Sequence, residues 1–145
     1  MARWRRAAAV IVSLAGLVGC NSGDSTMPGG PSAAVPIAGP TWRVTSIAGR
    51  PVLTGTTLTA SFSTENRVSG TAGCNNYFGS AKAESGRLAV GPLASTLMAC
   101  GTDGVMAQEV QYLATLQAAA RYEIQGDELR LGPSTADTTL VFTAR

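Results

Sequence analysis

Val68-Ser69-Gly70-Thr71-Ala72-Gly73-Cys74-Asn75-Asn76-Tyr77-Phe78-Gly79 is the stretch that decides the fold, and Thr96-Leu97-Met98-Ala99-Cys100 answers it later in the chain. Glycine and asparagine tolerate left-handed backbone angles, and an asparagine side chain can bond nearby main-chain groups. Gly73-Cys74-Asn75-Asn76 can therefore end a strand with its polar groups satisfied. The cysteines, glycines and adjacent asparagines read together as one stapled backbone knot, a device for shape. Gly70, Gly73, Asn75, Asn76 and Thr96 are accordingly expected to serve structure. Ligand binding by Asn75 and Asn76 is the alternative; satisfaction of their own loop is the reading adopted. Tyr77 and Phe78 are read as core or rim aromatics rather than a binding platform.

Working outward toward the amino terminus, Leu58, Ala60 and Phe62 alternate with Thr57, Thr59, Ser61 and Ser63. That is the period of a strand with one buried and one wet face. Thr64 to Arg67 makes a turn, and Arg67 to Ala72 returns antiparallel into the knot. Further back, Trp42 and Val44 point inward from Thr41 to Ile47, with Ile47 less regular, before the turn Ala48-Gly49-Arg50-Pro51.

Beyond the knot, two short strands are predicted at Phe78 to Ala83 and Arg87 to Val90, split by Glu84-Ser85-Gly86. Asp103 to Ala118 differs in kind. Met106, Val110, Leu113 and Leu116 or Gln117 fall near helical spacing, and Thr102 or Asp103 can cap the start. This stripe is read as the face packed on the core. The tail returns to strands, with Tyr122 and Ile124, then Leu129 and Leu131 after Gly126-Asp127, then Leu140 and Phe142. The fold class is α+β: a small antiparallel curled sheet or partly open β-barrel of seven or eight short strands with one covering helix.

The chain has 145 residues, of which 45% are hydrophobic and 14% charged, room for one ordinary folded domain. The formal net charge of +2 misleads, because Arg3, Arg5 and Arg6 of the 11 basic residues lie in the first nineteen positions with no acid beside them. The remainder carries one more acidic than basic side chain. A near-neutral domain gives no electrostatic reason to expect nucleic acid. Histidine is absent, which excludes Ser-His-Asp and Cys-His catalysis and every metal site that needs imidazole. The acids Glu65, Glu84, Glu109, Glu123, Asp127, Glu128 and Asp137 are scattered, mostly beside turns. All are read as solvated surface, with no pair placed for acid and base chemistry. Ser95-Thr96 lacks a base. No catalytic residue, cofactor or metal ligand is therefore assigned.

Met1 to Arg6 is a basic head and Ala7 to Val18 an apolar run, too short for a membrane span of about twenty residues and suited to a signal peptide. Leu17-Val18-Gly19-Cys20 then resembles the lipobox of bacterial lipoproteins. The resemblance implies a leader at 1–19 removed in front of a diacylglycerol-modified Cys20. An ordinary signal peptide with an incidental cysteine is the rival reading. Two or three acyl chains make a lasting anchor where one alone binds marginally. Arg5-Arg6 without further motif favours the general secretory route over twin-arginine export. Asn21 in place of the inner-membrane signal Asp resembles an outer-membrane address, with the protein facing the periplasm of the bacterial cell envelope. From residue 20 to residue 40, Gly, Ser and Pro dominate, Pro28, Pro31, Pro36 and Pro40 among them. This segment reads as a disordered tether to a domain at 41–145.

With Cys20 given to the lipid, Cys74 and Cys100 are left to pair. In an oxidising compartment such a loop is worth roughly 3 to 4 kcal/mol on the chain-entropy view. A reactive or metal-binding thiol pair is the alternative, and it lacks any histidine or further cysteine to complete it.

The order of these features resembles the META domain family, the group of the HslJ-like heat-shock lipoproteins. The resemblance is carried by Trp42, by Val68 to Tyr77, by Leu93-Ala94-Ser95-Thr96-Leu97-Met98-Ala99-Cys100, by the helix segment Glu109 to Leu116, and by Gly126-Asp127-Glu128-Leu129-Arg130-Leu131. It implies a small, partly open barrel with a helix, often secreted or lipid-anchored, in a family without established catalytic residues and associated with envelope stress and drug tolerance. The function expected is thus a non-enzymatic, lipid-anchored envelope protein with a structural, stress-related or protein-interaction role. The alternative is a module that holds an apolar ligand or hydrophobic peptide between sheet and helix. The partners expected are the membrane, through the lipid, and an envelope protein or apolar ligand that the sequence does not name.

Overall fold

The computed structural model describes residues 36–135 and 137–145. The leader, Cys20 and the tether up to residue 35 lie outside the described residues.

The elements run β1 (Thr41–Ile47), β2 (Arg50–Pro51), β3 (Thr59–Ser63), β4 (Arg67–Thr71), β5 (Asn76–Glu84), β6 (Arg87–Ser95), α1 (Val105–Gln117), β7 (Arg121–Gln125), β8 (Glu128–Gly132) and β9 (Leu140–Ala144). β1 and β3 to β9 pair in that order, every pair antiparallel, and β9 returns to β1, so eight strands close into a barrel with β2 an extra strand on β1. Connections therefore alternate between two ends. The turns at 64–66, 85–86 and 126–127 form a hairpin end. The β1–β3 link, the Cys74 corner and the β6–α1 link form the other, which we call the helix end.

The alternation read in the sequence is the alternation of burial: Leu58, Ala60, Phe62, Val68, Leu129, Leu131, Leu140 and Phe142 all face inward. Ile47 keeps its place inside despite the odd spacing because the β1–β9 register shifts between Val44 and Ser46, a bulge that turns the next side chains by one. Trp42, Tyr77, Tyr112 and Phe142 are the largest fully buried side chains. Each buried side chain of this size contributes on the order of 2 to 3 kcal/mol. The barrel closes most thinly between β6 and β7, at Arg87 opposite Arg121, with Leu88 N–H bonding Ala120 O at 3.0 Å and Tyr122 N–H bonding Gly86 O at 2.8 Å.

Four expectations are corrected. The domain begins before Thr41: Ile37 is buried, its carbonyl accepts the Trp42 indole N–H at 2.8 Å, and Gly39 N–H bonds Phe62 O at 3.2 Å. One apolar residue in a proline-rich stretch sufficed to seat it. β6 does not stop at Val90 but runs through Gly91-Pro92 to Ser95, because a register shift in β5 between Gly79 and Ala81 absorbs the irregularity. The helix is capped by neither Thr102 nor Asp103. Gly104, at φ 78°, is its N-cap with no side-chain bond, a left-handed conformation that glycine adopts freely.

The fourth correction concerns the buried face of α1, which is Val105, Gln108, Glu109, Tyr112 and Leu116, while Val110 is 67% exposed and Met106 also reaches solvent. Two polar residues took the inward positions because the helix end presents main-chain groups that need partners. Among the described residues no helix is long and apolar enough to cross a membrane.

Candidate functional site: the stapled corner

The corner between β4 and β5 leaves backbone N–H groups that no strand can reach. Glu109 reaches them from α1: one carboxylate oxygen accepts Asn75 N–H at 2.7 Å and Cys74 N–H at 3.2 Å, and the other accepts Asn75 Nδ2 at 2.7 Å. Glu109 is 5% exposed, so its expected place on the solvated surface is corrected. Asn75, also buried, uses its whole amide. Its Oδ1 accepts Met98 N–H at 2.7 Å and the Thr96 hydroxyl at 2.8 Å, and its Nδ2 also donates to Met98 O at 3.1 Å. The side chain thereby pairs with Met98 as a strand backbone would. Thr96 Oγ1 in turn accepts Asn76 N–H at 3.2 Å.

Cys74 and Cys100 are joined by a disulfide, with Cα atoms 5.9 Å apart. The bond and the Asn75 amide hold the same loop from two sides. Gln108 does for the β1–β3 link what Glu109 does for the corner, accepting Leu53 N–H at 2.7 Å and donating to Thr56 Oγ1 at 3.1 Å. Gly70 is required by close approach: a Cβ there would sit 2.0 Å from the Thr59 carbonyl oxygen. That oxygen is the acceptor around which the aromatic pair is built. Tyr77 Oη donates to it at 2.9 Å, Tyr112 Oη lies 2.8 Å from Tyr77 Oη, and the rings meet edge to face with centroids 5.7 Å apart. Burial raises the pKa of both hydroxyls well above the ordinary 10.0, and for Tyr112 the neighbouring Tyr77 adds to the rise.

The structure thus brings together Gly70, Gly73, Cys74, Asn75, Asn76, Thr96 and Cys100, with Asn76 exposed and Phe78 pointing outward. Glu109, Gln108 and Tyr112 are the members that the sequence reading left out. A stripe at Val105, Gln108 or Glu109, Tyr112 and Leu116 was present at helical spacing, but only for a reader willing to bury polar residues. Among the described residues no buried side-chain nitrogen or oxygen lacks a partner, and no three His, Cys, Asp or Glu side chains lie close enough to hold a metal. The network is satisfied within itself.

A closed antiparallel barrel sealed by one helix, with a disulfide-stapled corner, defines the class. The META domain profile matches residues 35–145, and the chain belongs to that family. A protein from Burkholderia xenovorans, solved by NMR, is similar over 81% of this chain and 96% of its own at 27% identity and a TM-score of 0.61. A second NMR structure covers 72% of this chain and 87% of its own at 26% identity and 0.57. A DUF4847 family protein from Bacteroides vulgatus shares the fold at 15% identity and a TM-score of 0.55, over 74% of this chain and 93% of its own. No curated protein matches the sequence.

Proposed function

We propose that this is a non-enzymatic, lipid-anchored protein of the bacterial envelope, held at the outer membrane through Cys20, whose META domain has a structural or protein-interaction role under envelope stress. The observation that carries the reading is the packing between helix and sheet. Tyr112 and Leu116 fill that space against Tyr77, Leu58 and their neighbours, and all are buried. A module built to hold an apolar ligand there needs a cavity of about 300 to 1,000 Å³ in that position. Hollows of such volume open at the surface instead: about 480 Å³ beside Lys82, Glu84 and Leu88, about 350 Å³ beside Gly73, Cys100 and Val105, and about 320 Å³ between Ala114, Thr115 and Ala118 of α1 and Pro133 and Thr139. The absence of histidine and the scatter of the acids support a protein without catalysis.

Mass spectrometry of the membrane fraction tests the anchor. A mature chain beginning at diacylglyceryl-Cys20 is expected, and a soluble, unmodified chain would overturn the proposal. Crosslinking in intact cells, followed by partner identification, tests the role. Organic extraction of the purified protein tests the alternative, which predicts a co-purifying lipid or apolar peptide.

A further inference from the structure

The β6–α1 link enters the helix through Thr102-Asp103-Gly104-Val105. Of all the asparagines and aspartates in the chain, Asp103 alone is followed by glycine. The pairing matters for a covalent reason. The main-chain nitrogen of one residue can attack the side-chain carboxyl of an aspartate before it and close a five-membered ring. A Cβ on the attacking residue crowds that approach, and glycine has none.

Both reacting groups are unengaged. Asp103 and Gly104 are exposed. Among the described residues the Asp103 carboxylate has no hydrogen bond or ion pair, and the peptide joining Asp103 to Gly104 bonds through neither its C=O nor its N–H. Val105 N–H bonds Thr102 O at 3.3 Å and closes a turn around the two residues, with Gly104 at φ 78° as the left-handed residue that a type II turn requires. Ring closure needs the joining peptide to rotate within this turn, and no bond holds it. The other candidates differ. Asn75 is buried with its whole amide in use. Asn66, Asn76, Asp127 and Asp137 precede residues that carry a Cβ.

We propose that Asp103 is a site of spontaneous modification, where aspartate converts to isoaspartate and lengthens the main chain at the entry to α1. The Gly104 nitrogen attacks Cγ of the protonated Asp103 carboxyl. The N–Cγ bond forms, the Cγ–OH bond breaks, and the amide proton leaves with the hydroxyl as water. Water then opens the succinimide. Attack at Cγ restores aspartate, whereas attack at the main-chain carbonyl carbon leaves the chain running through the side-chain carbonyl and the former main-chain carboxyl free. Mass is unchanged, and one methylene has entered the backbone. The added length falls in a short span pinned at both ends, by the Cys74–Cys100 bond behind it and by Gln108 and Glu109 ahead. The freed carboxylate belongs to the residue before the first turn of α1, an end that no side chain caps.

The proposal is independent of the envelope reading, and peptide mapping tests it. The full chain is aged at neutral pH, reduced and cut with trypsin. Its peptide from Leu88 to Arg121 contains no other asparagine or aspartate, so it reports Asp103 alone. This peptide is expected to split into two peaks of equal mass, the new one accepting a methyl group from S-adenosylmethionine through an isoaspartyl methyltransferase. Asp103→Asn is expected to convert faster and with the mass gain of deamidation, because an amide expels ammonia more readily than an ionised carboxyl expels water. Asp103→Glu keeps the charge but has to close a six-membered ring, and a single peak is expected over the same time. Both variants are expected to keep the parent thermal midpoint, since the side chain bonds to nothing. A wild-type peptide that remains a single peak after a synthetic peptide of residues 100–107 has converted shows that the fold guards this bond, and overturns the proposal. A second peak of equal mass from the Asp103→Glu chain overturns it too.

Discussion

Glu109 ties the helix to a corner of the sheet more than thirty positions away, and it does so with hydrogen bonds alone. Glu109→Gln leaves one carbonyl oxygen for three N–H donors and turns an NH₂ group toward one of them. Since an unsatisfied buried donor costs about 1 to 3 kcal/mol, urea unfolding should show a loss in that range, and a change below about 0.5 kcal/mol would refute the role. Gly70 permits a second test at the same scale. Gly70→Ala drives a methyl into the Thr59 carbonyl and should destabilise by about 1 to 3 kcal/mol. Gly101→Ala, with nothing within 4 Å of the added methyl, should be near neutral. Gly70 was legible as structural because it stands in a knot of small and turn-forming residues. Glu109 was not, because nothing local to the helix distinguishes a carboxylate with three distant donors from one in water.

Among the elements, the 96–104 link has no regular structure of its own; beyond the Thr96 bonds to Asn76 at its start, it is held by the Asn75 amide and the Cys74–Cys100 bond. Replacing both cysteines by serine should cost about 3 kcal/mol by freeing a loop closed over 26 positions. Asn75→Ala should cost less in the serine background than in the parent, since both changes release the same segment; additive losses in a double-mutant cycle would show that the two devices act separately. The strands were readable wherever one face is wet, as at Leu58, Ala60 and Phe62, because alternation is then imposed by water on one side. The second half of β6 was hidden because Gly91-Pro92 reads as a strand end, and only the shifted pairing with β5 carries it on. The helix was found, and Leu113 and Leu116 of its expected stripe do pack on the core, but the buried face is turned toward Val105, Gln108 and Glu109. Val110 looked like core and is exposed, because the inward positions went to Gln108 and Glu109, which the open main-chain groups of two loops required.

At the scale of the molecule, the barrel interior holds a hydroxyl pair, Tyr77 and Tyr112, around the Thr59 carbonyl. Of the three oxygens, the carbonyl can only accept. The two short contacts are used together when Tyr77 donates to Thr59 and Tyr112 donates to Tyr77, so neither hydroxyl can lose its proton without breaking the chain. Burial is the leading cause of the raised pKa at both, and at Tyr112 an ionised Tyr77 would add repulsion. The consequence for the whole fold follows from linkage. Below the ordinary tyrosine value of 10.0 both folded and unfolded states hold these protons, and the pair adds no pH dependence to stability there. Above it the unfolded chain releases them while the native state does not. Stability is then lost as pH rises from 10 toward the folded values, at about 1.4 kcal/mol per pH unit for each tyrosine once its unfolded form is fully ionised. Urea midpoints measured on either side of pH 10 should fall along this slope. Tyr112→Phe removes one of the two protons and keeps the Tyr77 bond to Thr59, so its stability should fall more gently in the same range. A variant that loses stability as steeply as the parent would place the alkaline sensitivity elsewhere in the chain.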